Sequence, residues 1–203
     1  MTSRSCATGL LASRLVSANS SDRQVRILDA VLELLSTKGI SGVSMRAVAR
    51  EAGVSLGLVN YHYVDKVGLI AAALRRIEDD DLAIVAPDPS LPAVDQLKVA
   101  LGKVAKPEFL TAHYLALRLQ LWALATANEE FARINAEAQE RYRQGLVALI
   151  AGARPHLSQA ECANRAADID VIQNGIWLSA LIGIDHRAVD RAVRQCESIA
   201  LRD

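Results

Sequence analysis

The side chains best suited to chemistry cluster in one short stretch, MRAVAREAGVSLGLVNYHYVDK, which covers residues 45–66. Amide, phenol and guanidinium groups hydrogen-bond to the base edges and phosphates of DNA, and an ammonium group pairs with phosphate. Asn60 and Tyr61 are suited to reading base edges or holding phosphate, and Leu56 to touching a thymine methyl group. The stretch is therefore a candidate nucleic-acid surface.

Two short helices and a tight turn are expected to position these side chains. Ser44 and Ser55 are typical N-cap residues, and Gly53 stands where the first helix must stop, at a position that favours a positive φ. Two short helices joined by a glycine-containing turn form a helix-turn-helix. Gly57 costs a helix about 1 kcal/mol relative to alanine, which is offset if the backbone approaches a bulky partner such as a phosphate.

Helical periodicity extends along the rest of the chain. Outside the motif, helices are predicted over residues 22–38, from Lys66 towards the prolines at 87 and 89, and over 91–104, 107–127, 128–153, 158–184 and 186–202, giving nine helices and no strand. The predicted fold is all-α with three parts. These are a flexible N-terminal arm (1–20), a helix-turn-helix DNA-binding domain (21–81, motif 44–63) and a helical-bundle regulatory and dimerisation domain (90–203).

The charge distribution agrees with a DNA-facing front end. Residues 1–66 carry eight Lys and Arg against five Asp and Glu, whereas residues 67–203 carry fifteen against eighteen. The first third is thus positive although the whole chain is neutral. No apolar run reaches the ~18 residues that a membrane span needs. Three scattered cysteines predict reduced thiols in the cytoplasm, with a redox pair of Cys162 and Cys196 as the alternative.

Sequence patterns typical of enzymes do not occur. Four dispersed histidines offer neither a Glu-x-x-His pair nor zinc-ligand spacing, and there is no Gly-x-Ser-x-Gly or phosphate-binding loop. We therefore expect no enzymatic activity, no metal and no cofactor. A helical adaptor for protein partners is the alternative to a DNA-binding protein, although it would not need the glycines of the motif.

Residues 44–70, SMRAVAREAGVSLGLVNYHYVDKVGLI, resemble the DNA-binding domain of the TetR family of transcriptional repressors. The capping Ser44, the Ala-Gly-Val-Ser run that ends at Ser55, then Gly57, the aromatic pair at 62–63 and Lys66 fill the typical places of that family. Asn60, where many members have tyrosine, resembles the BetI-like branch, whose regulators respond to choline. The resemblance implies DNA contacts from Ser44, Arg46, Ser55, Leu56, Gly57, Asn60, Tyr61, His62 and Lys66.

Each implied DNA contact also has a simpler structural interpretation. In the family scheme Arg46 reaches a base or phosphate, and Ser44, His62 and Lys66 lie near phosphates. The residues that meet the major groove are Leu56, Gly57, Asn60 and Tyr61. Ser44, however, caps a helix with or without DNA. His62 fits equally well as a hydrogen-bonded core residue, and Lys66 as a solvated charge.

The pieces LQLWALAT and VIQNGIWLSALIG resemble the regulatory domain of the BetI-like branch. The resemblance implies an effector site at Phe109, Tyr114, Trp122, Asn174 and Trp177. The four aromatic residues would cage a quaternary ammonium ligand, with a core role for both tryptophans as the alternative. Asn174 stands where the family has aspartate, and the loss of this counter-charge favours a neutral or weakly polar analogue.

Small residues recur every four positions in the eighth predicted helix, at Gly175, Ser179 and Gly183. Glycine inside a helix is costly unless another helix packs closely against it. The partner is either the same helix of a second subunit or the ninth helix of the same chain, with its stripe of Val189 and Val193. In the TetR family the last two helices build the dimer, so the resemblance implies a homodimer interface at these five residues.

Together these features predict a ligand-responsive transcriptional repressor that binds a palindromic operator as a homodimer. Each subunit would place residues 55–62 in one major groove. A small-molecule effector in the C-terminal domain would release the DNA by moving the helix that starts at Lys66. The alternatives are a helical adaptor without DNA binding and a transcriptional activator.

Overall fold

The computed structural model describes the backbone of residues 5–202 and the side chains of residues 22–79 and 81–202. Its helices are α1 (Ser5–Gly42), α2 (Met45–Glu51), α3 (Leu56–His62), α4 (Lys66–Leu82), α5 (Ala93–Lys103), a 3-10 turn (Pro107–Phe109), α6 (Ala112–Ala125), α7 (Glu129–Ala153), α8 (Gln159–Ile182) and α9 (His186–Leu201). The predicted all-α fold is confirmed, since the described residues contain nine α-helices and no strand. None of the helices described is both long and apolar enough to cross a membrane.

Glycine and short polar side chains set most of the helix ends. Gly39, with φ 63°, interrupts α1 where the helix was expected to stop. The Thr111 side chain accepts a hydrogen bond from the backbone of α6, and Asn128 does the same for α7. Ser158 and Glu161 form a capping box at the start of α8. These local interactions explain why the sequence pattern located most helix ends to within a few residues, the start of α1 excepted.

Helix α1 begins earlier than expected. Residues 1–20 were expected to form a loose arm, but the backbone from Ser5 onward is helical. This stretch contains three leucines and three alanines, which have high helix propensity, beside five serines. Residues 1–4 lie outside the described part of the chain.

The chain forms two compact units, residues 1–73 and 74–203. The first unit buries one face of α1 against the helix-turn-helix, with Ile27, Val31, Leu35, Val48 and Val59 fully enclosed. The core of the second unit is built from α5 to α9. The division lies inside α4, earlier than the expected end of the DNA-binding domain at residue 81.

Both described cysteines are packed as core residues. Cys162 and Cys196 are buried in the second unit as free thiols. Burial raises the pKa of Cys196 to about 11, which keeps its thiol protonated at neutral pH. Because the thiolate is the reactive form, this environment argues against the redox-pair alternative.

Candidate DNA interface and effector cavity

Two serine caps and one glycine shape the helix-turn-helix. The Ser44 hydroxyl accepts a hydrogen bond from the Ala47 amide at 3.1 Å, and the Ser55 hydroxyl accepts one from the Leu58 amide at 3.2 Å. Gly53 has φ 63°, so the positive φ predicted for this turn is confirmed. Each serine oxygen is used as an acceptor, which leaves its own O–H available to donate to a phosphate.

Helix α3 has one buried and one exposed face. Val59 and Tyr63 pack into the first unit, whereas Gly57, Asn60 and Tyr61 are exposed, Tyr61 by 82%. Three of the four residues expected to meet the major groove are therefore exposed. The remaining predicted contacts are distributed as follows: Arg46, Ser44 and Ser55 are exposed, and Leu56, His62 and Lys66 are half-buried.

No packing against the described residues calls for a glycine at position 57. A Cβ added there would meet only the Ser55 hydroxyl oxygen, at 3.9 Å. The helix thus accepts the cost of glycine at a position open to solvent. Close approach by a partner outside the chain supplies a reason for this residue.

His62 and Lys66 already have contacts within the first unit. The His62 ring meets the edge of Tyr61, with ring centroids 5.2 Å apart. The Lys66 ammonium donates a hydrogen bond to the Ile40 carbonyl at 2.7 Å and so ties the end of α1 to the start of α4. An ammonium has three donors, so this bond leaves two for a phosphate.

A small cavity lies within the second unit, between the end of α4 and helices α6, α7 and α8. Its volume is about 40 Å³, and it is lined by Glu78, Asp81, Leu82, Arg118, Asn135, Ala138, Gln139, Tyr142, Asp170, Gln173, Asn174 and Trp177. Of the five predicted effector residues, Asn174 and Trp177 line it. Phe109, Tyr114 and Trp122 do not belong to its lining.

The predicted aromatic residues do cluster, but a side chain of the protein occupies the cation position. Tyr114 packs edge-on against Phe109 at 5.2 Å and against Trp177 at 5.9 Å between ring centroids. The Arg118 guanidinium carbon lies 4.5 Å from the ring centroid of Trp177 and 5.6 Å from that of Trp122. The expected cage for an external cation is thus filled by Arg118.

Asp81 is the counter-ion of this buried guanidinium. Its carboxylate pairs with Arg118 and also accepts a hydrogen bond from the Tyr114 hydroxyl at 2.7 Å. Both charged residues are buried. The Trp177 indole donates to the Val104 carbonyl at 3.1 Å, which holds the ring beneath the guanidinium.

Two further carboxyl groups line the cavity. Burial raises the pKa of Glu78 to about 8, with Arg118 opposing the shift and Asp81 adding to it. Burial likewise raises the pKa of Asp170, whose carboxylate accepts a hydrogen bond from the Asn174 amide at 3.1 Å. Two acids near position 174 can thus supply the negative charge that Asn174 lacks when they ionise, but their burial favours the protonated forms.

The sequence argument missed the polar part of this cavity, namely Glu78, Asp81, Arg118, Tyr142, Asp170 and Gln173. One signal was present: residues 114, 118 and 122 follow at intervals of four and so share one face of α6. An arginine between two aromatic residues on an otherwise apolar helix indicates a buried cation that needs a partner.

The predicted dimer residues divide between an exposed strip and the core. Gly175 and Ser179 are exposed on α8, together with Val171, Leu178 and Ile182 at helical spacing. A Cβ at Gly175 would meet nothing within 4 Å, so no helix in the described part of this chain covers the strip. The intrachain alternative for this strip therefore finds no support.

Three of the expected interface residues lie elsewhere than anticipated. Gly183 follows the end of α8 instead of lying within it, and its amide donates to the Ser179 carbonyl at 3.0 Å. Val189 is buried in the core of the second unit, and Val193 packs partly against the same core. The two valines share the inward face of α9 with Cys196 and Ile199, because residues spaced three or four apart lie on one side of a helix.

Two family models match the chain. The model described as "Bacterial regulatory proteins, tetR family" matches residues 27–73, which include the helix-turn-helix. The model described as "BetI-type transcriptional repressor, C-terminal" matches residues 103–202. One match lies in each compact unit.

Individual relatives agree with these family models. The curated HTH-type transcriptional regulator BetI of Burkholderia thailandensis is 28% identical over 166 residues, covering 79% of this chain and 83% of the relative. A putative transcriptional regulator from Pseudomonas aeruginosa PAO1 has the same fold, with a TM-score of 0.74 at 24% identity over 88% of both chains. A putative regulator from Saccharomonospora viridis, solved in complex with choline, has a TM-score of 0.69 at 21% identity, covering 90% of this chain and 97% of that one.

Proposed function

The chain belongs to the TetR family of bacterial regulatory proteins, and we propose that it is a ligand-responsive transcriptional repressor that binds operator DNA as a homodimer. The observation that carries this proposal is the exposed face of α3. Gly57, Asn60 and Tyr61 are exposed there, and among the described residues a Cβ at Gly57 would meet only the Ser55 hydroxyl oxygen. A fold that only needed a helical hairpin would gain stability from alanine at Gly57.

In the proposed complex, α3 enters the major groove. Asn60 contacts a base edge, Tyr61 a base or phosphate, and Gly57 lets the backbone approach the DNA. Ser44, Arg46 and Lys66 contact phosphates, as do Ser55 and His62 at either end of α3; Leu56 touches a thymine methyl group. A two-fold dimer places two such helices about 34 Å apart and therefore reads a palindromic operator.

The proposed dimer surface is the exposed strip on α8, defined by Val171, Gly175, Leu178, Ser179 and Ile182. Val171 is 72% exposed and Ile182 84% exposed, although both are large apolar residues. Apolar side chains grouped on one helix face indicate a surface that a partner covers. The small residues Gly175 and Ser179 at its centre permit close approach of the same helix from a second subunit.

The cavity of the second unit is the proposed effector site. We assign it a small organic cation, because three carboxyl groups line it beside a single guanidinium. Helix α4 carries Glu78 and Asp81 at its end and Lys66 at its start. A ligand that moves these acids would move α4, change the spacing of the recognition helices and release the DNA.

DNA binding by the purified full-length protein tests this function. Fluorescence anisotropy with labelled DNA from upstream of its own gene should detect tight, salt-sensitive binding, and unlabelled random DNA should compete weakly. Asn60→Ala should lose more affinity for this DNA than for random DNA. Asn164→Ala, which alters an exposed asparagine on α8, is the matched control and should bind as the wild type does. Equal losses on both DNAs would exclude Asn60 from base reading, and no binding to either would refute the proposed function.

A further inference from the structure

The structure assigns to the cavity a more specific ligand, a small protonated primary or secondary amine that also carries a hydroxyl or carbonyl acceptor. This inference rests on the proposed function, since it takes the cavity as the effector site. It differs from the quaternary ammonium class that the resemblance implies, because a quaternary nitrogen has no N–H to donate. The reasons lie in three features of the cavity.

The first feature is a buried carboxyl group without a donor. Asp81 is engaged by Arg118 and Tyr114, and Asp170 by Asn174. Glu78 is only 8% exposed, and no hydrogen bond from a described side chain reaches it. A buried carboxylate is stabilised by a donor and a positive charge together, and a protonated amine supplies both.

The second feature is the shortage of aromatic faces for a quaternary ammonium. Tyr142 and Trp177 are the aromatic side chains among the lining residues. A face of Trp177 is already covered by the Arg118 guanidinium, 4.5 Å from the ring centroid. Of the two rings that could stabilise a cation without N–H groups, one therefore already has a face occupied by a guanidinium.

The third feature is a pair of buried donors without acceptors. Gln173 is 1% exposed, and its carbonyl oxygen accepts from the Tyr142 hydroxyl at 2.8 Å. Its Nε2 atom has no partner, and neither has Nε of Arg118. Leaving such donors unpaired is costly, so a ligand oxygen that accepts from Gln173 would satisfy the site. A neutral oxygen suits a cavity whose acids outnumber its one guanidinium.

Size agrees with this chemistry. A cavity volume of about 40 Å³ has room for roughly three water molecules. Ethanolamine has about that size, and its ammonium and hydroxyl groups match Glu78 and Gln173. Each added N-methyl group removes one N–H and enlarges the ligand, so successive methylation should weaken binding.

Proton uptake and release add a second signature. Because burial holds the pKa of Glu78 at about 8, its carboxyl is mostly protonated at pH 7 before a cation arrives. Arg118 of α6 faces it, with Arg75, Asp79 and Asp81 on its own helix, and the cavity wall adds Tyr142 of α7 and Asp170 of α8. Binding of an amine should ionise Glu78 and release about one proton.

Calorimetry with a methylation series tests the inference on the full-length protein. Ethanolamine, N-methylethanolamine, N,N-dimethylethanolamine and choline are titrated at pH 7 in phosphate and in MOPS, two buffers without a primary or secondary amine, whose different ionisation enthalpies reveal released protons. We expect ethanolamine to bind at least ten-fold more tightly than choline, with a release of about one proton. Choline binding as tightly as ethanolamine, or more tightly, would overturn the inference.

Three variants separate the roles of the two side chains. Glu78→Gln should lose at least ten-fold in ethanolamine affinity and abolish the proton release, whereas the exposed Glu137→Gln should change neither. Gln173→Leu should weaken the binding of ethanolamine but not that of propylamine, which has no oxygen. Unchanged binding in Glu78→Gln, or no binding of any amine by the wild type, would overturn the ligand assignment. Either result would leave the repressor function to be judged by the separate DNA-binding test with Asn60→Ala.

Discussion

Replacing Glu78 should change how the stability of the protein depends on pH. The folded chain holds this carboxyl group with a pKa raised from 4.5 to about 8, because burial disfavours its ionised form. Between these values the unfolded chain has released the proton that the folded chain retains. The free energy of unfolding contributed by Glu78 therefore falls as the pH rises from about 4.5 to about 8, and is constant outside this window.

The size of the effect follows from the shift. One pKa unit corresponds to about 1.4 kcal/mol, so the wild type should lose about 3 kcal/mol relative to Glu78→Gln between pH 5 and 7.5. The glutamine cannot ionise and keeps nearly the same volume. Comparing the two proteins cancels the titration of every other group that behaves alike in both.

Urea denaturation at fixed protein concentration, followed by circular dichroism from pH 5 to 8.5, measures this difference. The stability curves of wild type and Glu78→Gln should diverge as the pH rises and become parallel above about pH 8. Glu137→Gln, an exposed glutamate variant on α7, should give a curve parallel to that of the wild type throughout. Parallel curves for Glu78→Gln as well would refute the raised pKa and, with it, the expected proton release on ligand binding.

Three further outcomes are expected. Asp81→Asn should destabilise the protein by about 3 kcal/mol in urea denaturation because it leaves the buried Arg118 without a counter-ion, whereas Asp79→Asn, at an exposed pair, should cost less than about 1 kcal/mol. Ser179→Leu should convert the dimer to a folded monomer in sedimentation analysis; a dimer that merely melts early would speak against the α8 strip as the subunit interface. Lys66→Ala should weaken binding to operator DNA and to random DNA alike. It should also reduce the salt slope of binding by about one unit, and an unchanged slope would exclude a contact between Lys66 and a phosphate.

Local interactions account for the success of the sequence analysis in the helix-turn-helix. Ser44 and Ser55 act on amides three residues away, and Gly53 adopts a backbone conformation that other residues avoid. None of these effects depends on a distant part of the chain. Helical periodicity, which is also local, places Val59 on the buried side of α3 and Asn60 on the exposed side.

The cavity of the second unit was only partly predictable from the sequence, because the charged residues that pair in it are far apart along the chain. Asp81 and Arg118 are on different helices, and neither position reveals the other. Trp122 and Trp177 were expected to surround a ligand cation, but the guanidinium of Arg118 contacts both rings. Asn174 removes one negative charge, and the sequence did not indicate that Glu78 lies in the same cavity.

The sequence alone determined the all-α class, most helix ends apart from the start of α1, the turn geometry and the family, since each depends on residue types within a few positions of one another. Tertiary structure alone decided which polar groups became buried together and which apolar ones stayed exposed. It placed Arg118 over Trp177 and left Glu78 without a hydrogen-bond donor among the described side chains. It also turned Val189 inward, while Ile182 remained exposed to solvent. The physical reason is that burial and pairing depend on what other helices bring to the same place, and helical periodicity specifies a face without specifying what covers it.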